Sequence, residues 1–517
     1  MSDKVIRISS KQGFSDTWLN AATPTTLNLL DFTIPRGYNI SLRDSYVAIN
    51  AQIDNDSANP VNATMYLETD GATDLYNVPN SALIRNCSFS NDRGNVENIR
   101  RLDTLKCGLF GLENDAETRK NDLNTLAVYT GGRGTGNNTS YFLDSVTENV
   151  SNDGTTVDPA HTSRNISRDI KIPLNEMFGC CDTDAYSTDI FGETRIHIET
   201  NCNKLKSQML GGDERTSLGF DETIPWGKMA DEASIADGTR LKVMSASLAY
   251  ADWQLTFPFV VGQEVLVSCT ASAGASVTDV AVVITSIKYQ DDNTAVPPTS
   301  SEVVEITCEP EFFHNTHGSD VDLSAILVKS KIDQVLKNVV NRADLVLHLT
   351  NEPSPQNIQF ETYNVVEDNG NGLTSFNKGY VLEPEAKAIL VACLKNSAIL
   401  PNKVMDSYRY AIDNVEQTGN RSVNLVTAAG GQAQGSPIYY DRLQRCLINQ
   451  LGKEFRNAHL KFYQSNSATQ AAAYASPVSM ICETCEETQD SKMFNLNIES
   501  AGTVEQLILY KSVTKTM

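Results

Sequence analysis

The sequence predicts an all-β protein made of antiparallel β-sandwiches in two successive halves. Three observations lead there. Along residues 168–201, Ile170, Ile172 and Leu174 share one side of a period-two repeat, and Ile196 and Ile198 alternate with Arg195, His197 and Glu199. Such alternation places the isoleucines on one sheet face and the charged groups on the other. The apolar runs are short and rarely separated by helical patterns, which disfavours a parallel βαβ sheet. A joint with two prolines and no apolar residue, Asn351-Glu352-Pro353-Ser354-Pro355, is followed by a fresh set of strand patterns. The halves therefore repeat one organisation without visible sequence repetition.

The chain has 517 residues, too many for one ordinary core. Apolar residues at 40% and charged residues at 21% describe a folded domain and not a disordered one. With 64 acidic and 42 basic residues the net charge is −22, which repels a phosphate backbone and anionic lipid. Basic residues are scattered, and Arg100-Arg101 is about as dense as they become. The first residues, MSDKVIRISSKQ, read as a strand with Val5, Ile6 and Ile8, without the apolar core of a signal peptide. The longest apolar run, AILVACL at 388–394, is far short of the roughly 20 residues that span a bilayer. The eleven cysteines are expected to be small buried hydrophobes.

In chain order, residues 27–53 open the first sheet, with a turn at Pro35-Arg36-Gly37 and alternation through Val47, Ile49, Ala51 and Ile53. A strand over 81–89 leads to a helix capped by Asn95, with Val96, Ile99 and Leu102 on one face. Residues 130–165 and 204–237 are long polar stretches. From Leu241, four β-rich segments divided by turn residues suggest a small barrel or subdomain, with an insertion over about 255–310. Ile332, Val335, Leu336, Val339 and Val340 have the spacing of a helix. Beyond the joint come strands at IQFETYNVVEDNG, AILVACL and MDSYRYAIDN, then a helix from Ser436-Pro437 through Leu451, stopped by Gly452. The chain closes with a strand, VEQLILYKSV.

No segment supplies a catalytic constellation, and no catalytic, cofactor or metal residue is assigned. The G-x-S-x-G elbow is absent. Of the six histidines, His161, His197, His314, His317, His348 and His459, two (His197 and His348) alternate outward on strands and read as surface or interface groups. Cys482-x-x-Cys485 lacks the second ligand pair of a zinc knuckle. His314 and His317 lie in a loop pattern without a third ligand, and the 64 acids produce many chance carboxylate pairs. The glycines of GGRGTG at 131–136 lack the Gly-Lys-Ser/Thr ending of a phosphate loop.

Four segments carry a resemblance. IKIPLNEMFGCC with DIFGETRIHIETN, between 170 and 201, resembles the signature region of double jelly-roll major capsid proteins of small eukaryotic DNA viruses, of the polinton-like virus and virophage type. ADLVLHLTNEPSPQNIQFETYNVVEDN resembles their passage from the first jelly roll to the second. MDSYRYAIDN resembles a tyrosine-arginine segment of the second, and SPIYYDRLQRCLINQLG the helix after it. The resemblance implies two jelly-roll sandwiches side by side, 1–352 with the β-rich insertion and 353–517, with a few short helices. It further implies a homotrimer forming a pseudo-hexameric capsomer, neighbouring capsomers tiling an icosahedral shell around a DNA genome, and penton and minor or cement proteins as partners. The protein would be made without a signal peptide and reside in the virion. Loops at 130–165, 204–237 and 420–436 would form an outer tower or contacts between neighbours. No enzyme activity, cofactor, transmembrane segment or sequence-specific nucleic-acid binding is implied. Composition alone equally allows a β-sandwich carbohydrate-binding or adhesion protein, and less readily a β-rich glycoside hydrolase.

Overall fold

The computed structural model describes residues 4–10, 28–55, 63–68, 78–114, 125–129, 166–209, 240–245, 261–271, 276–291, 302–310, 323–330, 336–394, 398–399, 401, 405–419, 422–424, 426–429, 432–435, 437–452, 480–485 and 490–517. The chain is all-β with a few short helices. Eight strands of the first half are β1 (Val5–Ser9), β2 (Asn28–Ile34), β3 (Asn39–Asn55), β4 (Ile84–Asn91), β5 (Gly94–Ile99), β6 (Ile166–Pro173), β7 (Thr194–Thr200) and β8 (Leu336–Leu349). One sheet has the order β1-β8-β3-β6 and the other β2-β7-β4-β5, every pair antiparallel. First pairs with eighth, second with seventh, third with sixth, fourth with fifth. A long hairpin wrapped into two sheets gives that order, which is a jelly roll.

The second half repeats the order with fused strands. Its elements are β9 (Gln359–Leu382), β10 (Ala386–Leu394), β11 (Met405–Ile412), β12 (Val415–Glu416), β13 (Val423–Asn424), β14 (Met480–Thr484) and β15 (Lys492–Thr516). Residues 359–369 of β9 pair with 506–516 of β15, which pairs on its other side with β10, and β10 pairs with β14. Residues 375–382 of β9 pair with 492–499 of β15, which pairs with β11, and β11 pairs with β12 and β13. So β9 serves as first and second strand and β15 as seventh and eighth. The register breaks between Asn369 and Ser375, where the ribbon turns from one sheet into the other, with Asn371 left-handed at φ 54°. The molecule is a double jelly roll by its own strand order.

The alternating residues fill the cores as their pattern requires. Ile170, Ile172, Leu174 and Ile198 are fully buried and Ile196 is nearly so; Ile170 and Ile172 are cross-strand neighbours of Ile49 and Val47 on β3, and Ile196 of Phe32 on β2 and Phe89 on β4. Between β6 and β7 the chain makes a four-residue helix, α2 (Leu174–Met177), a 3-10 turn at Gly179–Cys181, and α3 (Thr188–Phe191). Phe178, Tyr186 and Phe191 close that end of the sandwich, with Tyr186 stacked on Phe191 at 4.8 Å between ring centroids. Each such fully buried side chain contributes about 1.5–3 kcal/mol relative to exposure.

Two expected helices are strands. Asn95, Val96 and Ile99 lie on β5, hairpinned to β4, and the helix α1 begins only at Leu102 and runs to Glu113. The inward residues of β5 are Glu97 and Ile99, and a buried glutamate between two apolar residues imitates helical spacing. Leu336, Val339 and Val340 lie on β8 opposite β3, and a bulge between Val340 and Arg342 shifts the apolar phase; Ile332 and Val335 lie outside the described residues. The strand expected over 81–89 starts at Ile84, after a 3-10 turn at Asn80–Leu83. The late helix is present: α4 (Pro437–Gln444) continues as a π-helix over Arg445–Gln450, with Tyr439, Leu443, Cys446 and Leu447 buried.

A separate five-stranded antiparallel sheet lies between β7 and β8 in the chain. Its strands are Arg240–Ser245, Glu264–Ala271, Ser276–Asp291, Glu302–Glu309 and Leu323–Ser330, in spatial order 1-4-3-2-5. Among the residues whose side chains are described, Val265, Val267, Val282, Ile284 and Cys308 are buried in it. Residues 130–165 and 210–237, expected as polar loops, lie outside the described residues.

Candidate functional site: the seam between the jelly rolls and their outer faces

The run AILVACL is buried on both faces because β10 is covered twice. One side faces its own sandwich core. Over the other sheet face lie α1, which comes from the first jelly roll, and α4. The approach of α1 is close: a Cβ added at Gly108 would stand 2.0 Å from Met480 Sδ. Tyr439 of α4 donates to the Met480 carbonyl at 2.5 Å. Buried apolar residues of the two jelly rolls thus form one continuous cluster.

Two charged residues fasten this seam. Arg101 takes the left-handed conformation at the start of α1 and is 4% exposed. Its guanidinium donates to Asp103 Oδ1 (3.2 Å), Thr104 Oγ1 (2.9 Å), the Ala398 carbonyl (2.7 Å) and Gln506 Oε1 (2.8 Å). Its own carbonyl accepts from Tyr510 Oη at 2.8 Å. Burial opposes the Arg101 charge most strongly of any single influence, but Asp103, Tyr510 and Glu367 together outweigh it and hold the pKa above its ordinary value. Glu97 is 1% exposed and accepts from Gly179 N (3.0 Å) and Cys180 N (3.1 Å) of its own jelly roll and from Thr362 Oγ1 (2.5 Å) of the other. Burial pushes its carboxyl above the usual range despite those three donors. At the same place Gly179 leaves no room for a side chain, since a Cβ would fall 1.7 Å from the Glu361 carbonyl oxygen.

A third buried carboxylate organises the second jelly roll. Glu483 on β14 accepts from Tyr408 Oη, from Tyr410 Oη at 2.9 Å and from Arg442 Nη1 at 2.8 Å. Burial raises its pKa, against the pull of those donors. Cys482 and Cys485 on either side are buried free thiols; burial pushes Cys482 well up and Cys485 up to about 12. Burial thus disfavours the thiolate, the form in which a cysteine acts as a nucleophile. The chemistry of that motif lies in the glutamate between the cysteines, which the CxxC spacing does not reveal.

The histidines on strands are placed outward as expected. His197 meets Asp31 at 2.5 Å and is half-exposed, and His348 lies 6.1 Å from the Tyr46 ring. His161, His314, His317, His459 and the glycine stretch at 131–136 lie outside the described residues. Among the described residues no group of three or more His, Cys, Asp or Glu side chains could hold a metal ion, and no helix is long and apolar enough to cross a membrane.

The outer faces of the two equivalent sheets differ. On β2-β7-β4-β5 the charged groups have partners: Arg85 with Glu199 (3.5 Å), Arg195 with Glu193 (2.9 Å) and Asp31 with the His197 ring. On the corresponding face of the second jelly roll β9 presents Ser375, Asn377, Gly379 and Val381, and β15 presents Met493, Asn495, Asn497 and Glu499. Arg409 on β11 is the cation of that face and makes no ion pair with a described residue.

No family model and no curated protein matches the chain. Among solved structures it is similar to the PBCV-1 virus capsid at 7% identity and a TM-score of 0.38, over 99% of this chain and 94% of that one. It is similar to the STIV major capsid protein at 10% identity and a TM-score of 0.32, over 98% and 96% of the two chains. Similarity to a Sputnik virophage chain is 9% at a TM-score of 0.29, over 99% and 86%. The assignment as a double jelly roll rests on the strand order and register.

Proposed function

We propose that this chain is a structural protein of a virus shell, a major capsid protein whose homotrimer forms a pseudo-hexameric capsomer around a DNA genome. The observation that carries the reading is the repeated strand order: one chain holds two jelly rolls of the same order, so three copies present six similar sandwiches. A ring of six from three chains needs the halves held rigidly, and the seam of α1, Arg101 and Glu97 supports that. The domains are then 1–352 and 353–517. The insertion, expected over about 255–310, is best drawn to include the whole sheet between residues 240 and 330.

The reading assigns the chain a structural role without catalysis. The net charge of −22 suits contact with other proteins better than contact with nucleic acid. Penton and minor or cement proteins are the expected partners, and the virion is the expected location. Sedimentation velocity of the full chain at micromolar concentration tests this. A trimer is expected, and a stable monomer overturns the reading.

A further inference from the structure

We propose that the outer face of the β9-β15-β11 sheet is where a second copy of this chain docks, through acidic surface of that copy; the inference rests on the capsid reading above. The two jelly rolls provide an internal control. Their second, seventh and fourth strands form equivalent sheets with opposite outer faces. In the first jelly roll the face carries Asp31, Arg195, His197 and Glu199, partnered within the same chain as solvated charges are. In the second, seven of the eight positions on β9 and β15 are small, amide or apolar.

Two of those positions are apolar and open. Val381 and Met493 are direct cross-strand partners, 56% and 45% exposed. Open apolar side chains of this kind mark protein interfaces, where methionine is enriched, and the charge beside them is Asp413, whose carboxylate accepts from the Met493 amide at 2.8 Å. Asn377, Asn495 and Asn497 keep the face flat and hydrogen-bond competent without the cost of desolvating a charge. Arg409 stands among them opposite Asn497. It is a lone guanidinium on a chain of net charge −22, so the surface complementary to it is abundant on another copy. Arginine at the centre of an interface forms bidentate contacts with carboxylates, and this one has no ion-pair partner among the described residues. Contact of this face with a different surface of the next copy is heterologous, and a heterologous contact that closes after three steps gives a trimer.

The test is sedimentation equilibrium of the full-length wild type and of Val381→Asp, Met493→Asp and Arg409→Glu, with circular dichroism and melting on each. All three changes lie on an exposed face and should leave the fold and melting temperature in place. The expected result is a trimer-to-monomer midpoint raised roughly 30-fold by each. Asn98→Asp, on the equivalent face of the first jelly roll, should leave the midpoint in place. A wild-type trimer with unchanged midpoints in all three variants overturns the docking face and leaves the capsid reading standing; a wild-type monomer overturns the capsid reading itself. As a measurement independent of variant folding, a photo-crosslinking residue at Asn377 should join two copies in the trimer. A trimer giving no crosslink from that position also overturns the proposal.

Discussion

The two jelly rolls share a strand order and differ in continuity. In the first, eight separate strands make the sandwich, and the seventh and eighth are parted by the whole segment that carries the five-stranded sheet. In the second, the seventh and eighth are one strand of 25 residues and the first and second one strand of 24. A fused strand turns the sandwich corner without a connecting loop, leaving no place for an insertion. A broken strand pair leaves an open connection at the sandwich end, where added chain costs little, because loop-closure entropy grows only slowly with length. The first jelly roll is thus the half that carries extra structure, and the second supplies a long, continuous wall.

The largest expected effect removes either sandwich. Ile196→Asp or Ile198→Asp on β7 and Ile498→Asp on β15 each put a carboxylate into a dry core at the same seventh-strand level. Each should cost more than about 4 kcal/mol and abolish soluble trimer, read by expression and sedimentation. Equal loss from both halves would show that neither folds as an independent scaffold for the other. Normal assembly of the Ile196 or Ile198 variants would remove these residues from the core.

Next comes the seam. Arg101→Ala leaves Asp103 buried with its cation gone and deletes the links to Ala398 and Gln506. A loss of about 3–5 kcal/mol is expected. Calorimetry should then resolve the two jelly rolls as separate transitions where the wild type gives one. A single cooperative transition in the variant would show that the apolar cover of α1 alone joins the halves.

Smaller is the pH dependence. Glu97 and Glu483 both have folded pKa values raised above the ordinary 4.5, mainly by burial. Their folded forms therefore hold a proton more tightly than the unfolded chain does. That contribution to stability is complete below about pH 4.5 and is lost as pH rises through the folded values. Melting temperature at fixed salt should fall as pH rises from about 5 through that range. Glu97→Gln, which bridges the jelly rolls, and Glu483→Gln, which lies within the second, should each flatten the slope. An unchanged slope in both would contradict the raised values.

Residues 168–201 and AILVACL were legible in the sequence because strand burial is written in residue type: period two where one face is buried, a continuous apolar run where both are. Residues 336–340 form a strand despite their helical spacing, because a bulge moves the apolar phase of β8. The helix expected from Asn95 failed for a different reason, since the inward position of β5 is a charged residue, Glu97. The seam was illegible for the same cause. Arg101 and Glu97 are buried by partners 405 and 265 positions away, Gln506 and Thr362, and no local pattern marks a charge that will be satisfied at such distance. Glu483 lies between two cysteines whose CxxC spacing is that of a ligand pair. The resemblance of MDSYRYAIDN marked Tyr408 and Tyr410 without showing that both hydroxyls converge on that glutamate.

The most direct test of a doubled jelly roll acting as a capsid building block is electron microscopy of the purified full-length protein in negative stain. The account predicts particles of hexagonal outline with threefold character, two lobes from each of three copies. Single two-lobed particles at micromolar concentration would contradict it.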